Sequence, residues 1–135
     1  MLFRSMVDAF SSDAIPIHLI TLEAVELMLR KLKPNGIIAY HISNRYVDLE
    51  PVLERTAGAL WLAARVRDDT PIDPARKLLG HNVSTWVALA RKDEAGAALG
   101  PILLDPRWRA LVTHDPPVRA WTDDYSDVLA LFKWR

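Results

Sequence analysis

The chain contains no cysteine. That single absence excludes a disulfide framework, a thiolate nucleophile, an iron–sulfur cluster and a cysteine-bound zinc. Glycine is scarce: of five in 135 residues, none forms a Gly-x-Gly turn between a strand and a helix, the element that cradles nucleotide phosphates. Neither sign of charge predominates, with 17 basic residues against 17 acidic ones and no basic run. A nucleic-acid partner is therefore not expected, because phosphate neutralisation needs clustered Lys and Arg. No apolar run reaches the roughly 18 residues of a membrane span, and Met1-Leu2-Phe3-Arg4-Ser5-Met6 is not a signal peptide. The expectation is a cytoplasmic protein without a membrane partner. His18, His81 and His114 are too scattered for a metal constellation, and no metal is expected.

What is present is an ordinary globular composition, 50% hydrophobic and 25% charged. A single domain of this size buries roughly 68% of its unfolded surface, enough for a core without a staple. Residues 3–7 form a short apolar stretch that reads as a strand, followed by a loop over 8–16 rich in Ser, Asp and Pro. Leu22, Val25, Leu29 and Leu32 fall at helical spacing behind a Thr21 cap, and Lys33-Pro34-Asn35-Gly36 ends that helix. Residues 37–42 are apolar nearly throughout, the pattern of a strand covered on both faces in a parallel sheet. Asp48 then caps a helix striped by Leu49, Val52, Leu53, Ala57 and Leu60. An edge strand over 64–68 with Arg65 and Arg67 facing water, a long irregular connection over 69–84 and a buried strand over 85–90 follow, the two strands pairing antiparallel. Short helices are expected over 93–99 and 106–112.

In open α/β sheets, ligands bind beyond the carboxyl ends of the strands. The 8–16 loop brings Asp8 and Asp13, with Ser11 and Ser12, to that rim. Carboxylates there suit a cationic ligand: a carboxylate holds an ammonium group and, once its proton is lost, orients the free amine for attack. The competing reading is that Ser11, Ser12 and Asp13 make turn and cap hydrogen bonds ahead of the helix. His41 ends the central strand and points at the same crevice, with no adjacent base to make it a catalyst. Asp123 and Asp124 beside Trp121 and Tyr125 read equally as a second acidic wall and as an N-cap.

Four segments, taken in order, carry a resemblance: Val7-Asp8-Ala9-Phe10-Ser11-Ser12-Asp13-Ala14-Ile15-Pro16, Leu32-Lys33-Pro34-Asn35-Gly36, His41-Ile42-Ser43-Asn44 and Trp121-Thr122-Asp123-Asp124-Tyr125-Ser126. Together they resemble the carboxy-terminal half of the spermidine synthase-like proteins, the polyamine aminopropyltransferases, which share the fold of S-adenosylmethionine-dependent methyltransferases. The resemblance implies an α/β fold, the carboxy-terminal half of a doubly wound, Rossmann-like sheet of about four strands with a terminal antiparallel pair. It also implies aminopropyl transfer from decarboxylated S-adenosylmethionine to a diamine such as putrescine, with no metal. Carried over, Asp8 is the residue that assists amine deprotonation and Asp13 the one that holds the amine chain. Ser11, Ser12, Asp124 and Tyr125 are the further substrate-side residues. The family binds its nucleoside through a glycine-rich half that this sequence lacks, so no cofactor-binding residue is assigned. The alternative is a catalytically inactive, truncated relative acting as an oligomeric binding or scaffold protein. In either case the first strand is expected to be an open edge, and that strand and the helix from Leu22 to Leu32 are expected to be covered by another copy, giving a homodimer or higher oligomer.

Overall fold

Five strands form one sheet: β1 (Ser5–Asp8), β2 (Ile38–His41), β3 (Leu62–Asp68), β4 (Thr85–Arg91) and β5 (Trp108–Arg109), in the spatial order β1-β2-β4-β3-β5. This is the arrangement in a computed structural model that describes residues 5–8, 17–43, 47–68, 74–79, 84–113 and 118–131. β1 and β2 are parallel, whereas β4 is antiparallel to both of its neighbours, β2 and β3. β1, β2 and β3 thus all point one way, with β4 running back between the last two. The all-parallel surroundings expected for the 37–42 strand are therefore half realised, with β1 parallel on one side and β4 antiparallel on the other.

Two long helices connect these strands: α1 (Leu22–Lys31) between β1 and β2, and α2 (Glu50–Ala59) between β2 and β3. Both bury their apolar stripes on the same sheet face. Val25 and Leu32 from the α1 segment and Val52, Leu53 and Ala57 from α2 meet Ile38, Tyr40, Val66, Val87 and Leu89 there. Burial of each such aliphatic side chain contributes about 1.5–3 kcal/mol. On the opposite face, Ile37, Ala88 and Ala90 lie with Ala98 and Leu99, supplied by the short helices α4 (Ala95–Ala98) and α5 (Gly100–Leu103) and the residue between them. A further short helix, α3 (Pro74–Leu78), lies inside the connection that the sequence reading left irregular. Among the described residues, no helix is long and apolar enough to cross a membrane.

Local chemistry explains the ends. Thr21, at φ −73° and ψ 158°, accepts the Ala24 N–H on its side chain and caps α1 as expected. At the far end it is Asn35, at φ 60°, that takes the left-handed conformation. Gly36 serves another purpose: a Cβ there would lie 2.6 Å from Leu32 Cγ and 2.8 Å from the Lys33 carbonyl oxygen. The expected Asp48 cap is displaced. Leu49 is the N-cap of α2 and makes no side-chain cap bond, while the Asp48 carboxylate accepts the Glu50 N–H from one position further out. β3 begins at Leu62, two residues earlier than expected, and Arg65 and Arg67 are half-buried instead of facing water. The edge beyond β3 is occupied by β5.

The expected helix over 106–112 is absent; those residues form a turn leading into β5. Asp105 is the reason. Its carboxylate accepts the Arg107 backbone N–H at 3.0 Å and the guanidinium at 2.7 Å, and those hydrogen bonds hold its carboxyl down at about 2. Arg109, next in line, is clamped by Glu50 through two bonds of 2.6 and 3.0 Å. A side chain that satisfies its neighbours' backbone in this way offers an alternative to the helix, and here it prevails.

Arg91, the last residue of β4, fastens the strand to the helix end. Its guanidinium donates to the carbonyls of Leu29 at 2.6 Å, Leu32 at 2.9 Å and Lys33 at 3.3 Å, and to the Glu94 carboxylate. Replacing Arg91 by Ala strands these acceptors and is expected to cost about 2 kcal/mol, read as a drop in the denaturant midpoint. An unchanged midpoint would show that water replaces the clamp.

Tyr40 is the buried polar group of the main core, its hydroxyl donating to the Leu19 carbonyl at 2.8 Å. Burial pushes the phenol well above its ordinary range. The folded chain keeps it neutral while the unfolded chain ionises it near pH 10, so this contribution is complete below about pH 10 and is lost as the pH rises further. Tyr40→Phe is expected to cost about 1 kcal/mol at neutral pH and to flatten the alkaline decline; an equally steep decline in the variant would assign it to another group.

Candidate functional site

The carboxyl ends of β1, β2 and β3 lie along one edge of the sheet, with Asp8 of β1 in register with His41 of β2. His41 does not stand free in that crevice. Its ring stacks on Trp86 of β4, centroids 4.8 Å apart and planes 26° from parallel. Ser43 is similarly engaged, accepting the Thr85 N–H at 2.7 Å and joining the end of β2 to the start of β4. Asp8 is the last residue of β1, and Ser11, Ser12 and Asp13 lie outside the described residues.

Along the outer side of α1 lies an open groove of about 780 Å³. One wall is the outer side of α1, with Thr21, Glu23, Leu27 and Arg30; the other is the 122–126 segment, with Asp124 and Tyr125. The two walls come from sequence positions a hundred residues apart, and a closed hydrogen-bond circuit joins them. The Leu22 N–H donates to the Trp121 carbonyl at 2.8 Å. Thr21 donates its hydroxyl proton to Asp123 Oδ1 at 2.9 Å while accepting from Ala24, and the Asp123 N–H donates to the Glu23 carboxylate at 3.0 Å. Thr21 is 1% exposed, so its hydroxyl needed both partners. Trp121, equally buried, anchors the second wall in the core.

Residues 122–125 close a two-residue turn, with paired Thr122 and Tyr125 backbone bonds of 2.9 and 3.2 Å. This settles the two readings of the Thr-Asp-Asp run. Asp123 does not cap the helical turn that follows it in sequence; it ties itself to the cap of α1. The following turn, Leu129–Leu131, is served by Asp127, whose carboxylate accepts the Ala130 N–H at 3.1 Å. Asp124 is left exposed at the tip of the turn, on the groove wall. Tyr125 is half-buried, and the Arg119 guanidinium lies 4.2 Å above its ring. Of the expected substrate-side residues, the structure thus brings Asp124 and Tyr125 into one groove. Thr21 and Glu23, which hold its walls together, were not foreseen as site residues; nothing local in the sequence couples them to Asp123.

Chemically, three carboxylates, Glu23, Asp123 and Asp124, gather at one end of the groove beside an aromatic ring. Arg30 stands at the other end, about two helical turns away. The acidic end suits a cation. Among the described residues, no group of three His, Asp or Glu side chains is placed to hold a metal ion. Compared with known proteins, the chain matches no family model, no curated protein and no solved structure.

If the Thr21–Asp123 contact holds the groove walls together, the variants Thr21→Val and Asp123→Ala will not be additive. The double-mutant cycle should show a coupling energy of at least about 0.5 kcal/mol, and Thr21→Val alone should cost about 1–2 kcal/mol through the lost cap. Strict additivity would mean that the walls stand independently.

Proposed function

We propose that this chain is a spermidine synthase-like α/β domain that carries the amine-acceptor side of an aminopropyl-transfer site. The observation supporting this reading is the strand order. Three like-directed strands linked through α1 and α2, with a reversed β4 slotted between β2 and β3, are what the carboxy-terminal half of a doubly wound, methyltransferase-type sheet with a terminal antiparallel pair would look like. The acidic end of the groove lies at the amino end of α1, the helix that follows β1.

In this reading a diamine such as putrescine lies with one ammonium group at the acidic end, against Asp124 and Tyr125, with Ser11, Ser12 and Asp13 holding its chain. Asp8 takes a proton from the attacking nitrogen. The nitrogen lone pair forms the new C–N bond at the aminopropyl carbon of decarboxylated S-adenosylmethionine as the carbon–sulfur bond breaks. Methylthioadenosine then leaves with that electron pair on sulfur, neutralising the sulfonium. Positioning the two reactants is most of what such a displacement asks of a protein. The residues present supply the acceptor side, and the sequence has no Gly-x-Gly turn for the nucleoside side.

The sheet edge favours a second reading. Among the described residues, nothing pairs with the outer side of β1, and an open edge invites a strand from another chain. A cytoplasmic homodimer joined through β1, acting as a non-catalytic polyamine-binding or scaffold protein, would use the same groove without turnover.

Calorimetric titration with putrescine and with methylthioadenosine separates the readings. The transferase reading expects both to bind, with Asp13→Asn weakening the diamine by about 1.5–3 kcal/mol and the exposed Asp124→Asn by about 0.5–1 kcal/mol. Binding of putrescine alone would leave a polyamine-binding protein, and binding of neither would leave the scaffold.

A further inference from the structure

We infer that α1 is a self-complementary contact surface, and that a second copy of this chain lays its own α1 antiparallel across it. The inference rests on the reading that the chain forms a homodimer, and names a surface that β1 pairing does not specify. Glu23, Leu27 and Arg30 fall at i, i+4 and i+7, one exposed stripe on the side of α1 away from the buried Val25 and Leu32. Leu27, in the middle, is 49% exposed.

The charges along this helix are segregated. Glu23 and Glu26 occupy the amino half, and Arg30 and Lys31 the carboxyl end; all four are exposed. Asp123 and Asp124 extend the acidic end across the groove. A parallel copy would set acid against acid. An antiparallel copy related by a twofold axis sets the second copy's Arg30 in the acidic end of the groove, beside Glu23 and Asp124, where it competes with a diamine's ammonium group, while its own acidic end receives Arg30 of the first. The two Leu27 side chains then lie near the axis and lose water together. Among the described residues no ion pair or hydrogen bond engages the Arg30 guanidinium, so it is available for this contact.

Charge reversal tests the contact, read by sedimentation equilibrium of the full chain. Arg30→Glu and Glu23→Arg should each weaken the dimer by about tenfold, since each twofold contact contains two such pairs that pass from attraction to repulsion. The combined E23R/R30E variant should dimerise more tightly than either single variant, a recovery that loss of folding could not produce, and stay below wild type because Asp123 and Asp124 are not reversed. Added salt should weaken the wild-type dimer. A dimer unaffected by either reversal but lost on Val7→Pro would overturn the α1 contact and leave pairing through β1 standing. A wild-type chain that stays monomeric at about 100 μM would overturn both.

Discussion

Residues 87–90 of β4 are buried one after another, Val87 and Leu89 against one layer and Ala88 and Ala90 against the other. A strand buried on both sides has no face to give to water, and that constraint organises the molecule. The side toward Val87 and Leu89 accepts large side chains and two full helices. The side toward Ala88 and Ala90 presents small side chains from β4, and Ile37, Ala98 and Leu99 fill that layer. Arg91 ends the run, and its guanidinium collects the orphan carbonyls at the end of α1. Helix termini leave such carbonyls unsatisfied, so one side chain both stops the strand and closes the helix.

From this centre the two margins of the sheet differ. The β5 margin is short and tied down by the Glu50–Arg109 fork. The β1 margin is a four-residue strand held on one side by β2. Short edge strands and charged clamps are how sheets blunt their margins, and the β5 side carries both. The groove runs along the outer side of α1, opposite the 122–126 segment. The linkage from Trp121 through Leu22, Thr21, Asp123 and Glu23 makes it a built feature instead of an accidental gap.

Much of this was legible in the residues, and what was not has identifiable causes. Helix α1 could be placed from its apolar spacing, its Thr21 cap and its Asn35-Gly36 exit because all three signals are local. The antiparallel pairing of β3 with β4 followed from two apolar runs separated by a connection. The 106–112 segment misled because Trp108 and Leu111 suggest a helical stripe, whereas the Asp105–Arg107 interaction decides the backbone. The Thr-Asp-Asp run was ambiguous for a deeper reason: its partner is the cap of a helix 102 residues earlier, and no local pattern encodes a contact of that range. Asp124 and Tyr125 could be nominated from residue type alone; that they share a groove with Glu23 and Arg30 required the fold.

The central proposal is that the outer side of β1, unpaired among the described residues, is completed by a second chain. Amide hydrogen exchange at residues 5–8, followed as a function of protein concentration, tests it most directly. The account predicts that amides directed away from β2 exchange freely in dilute solution and become protected as the chain assembles. Free exchange of those amides at every concentration, or equal protection of all four in the monomer, would contradict it.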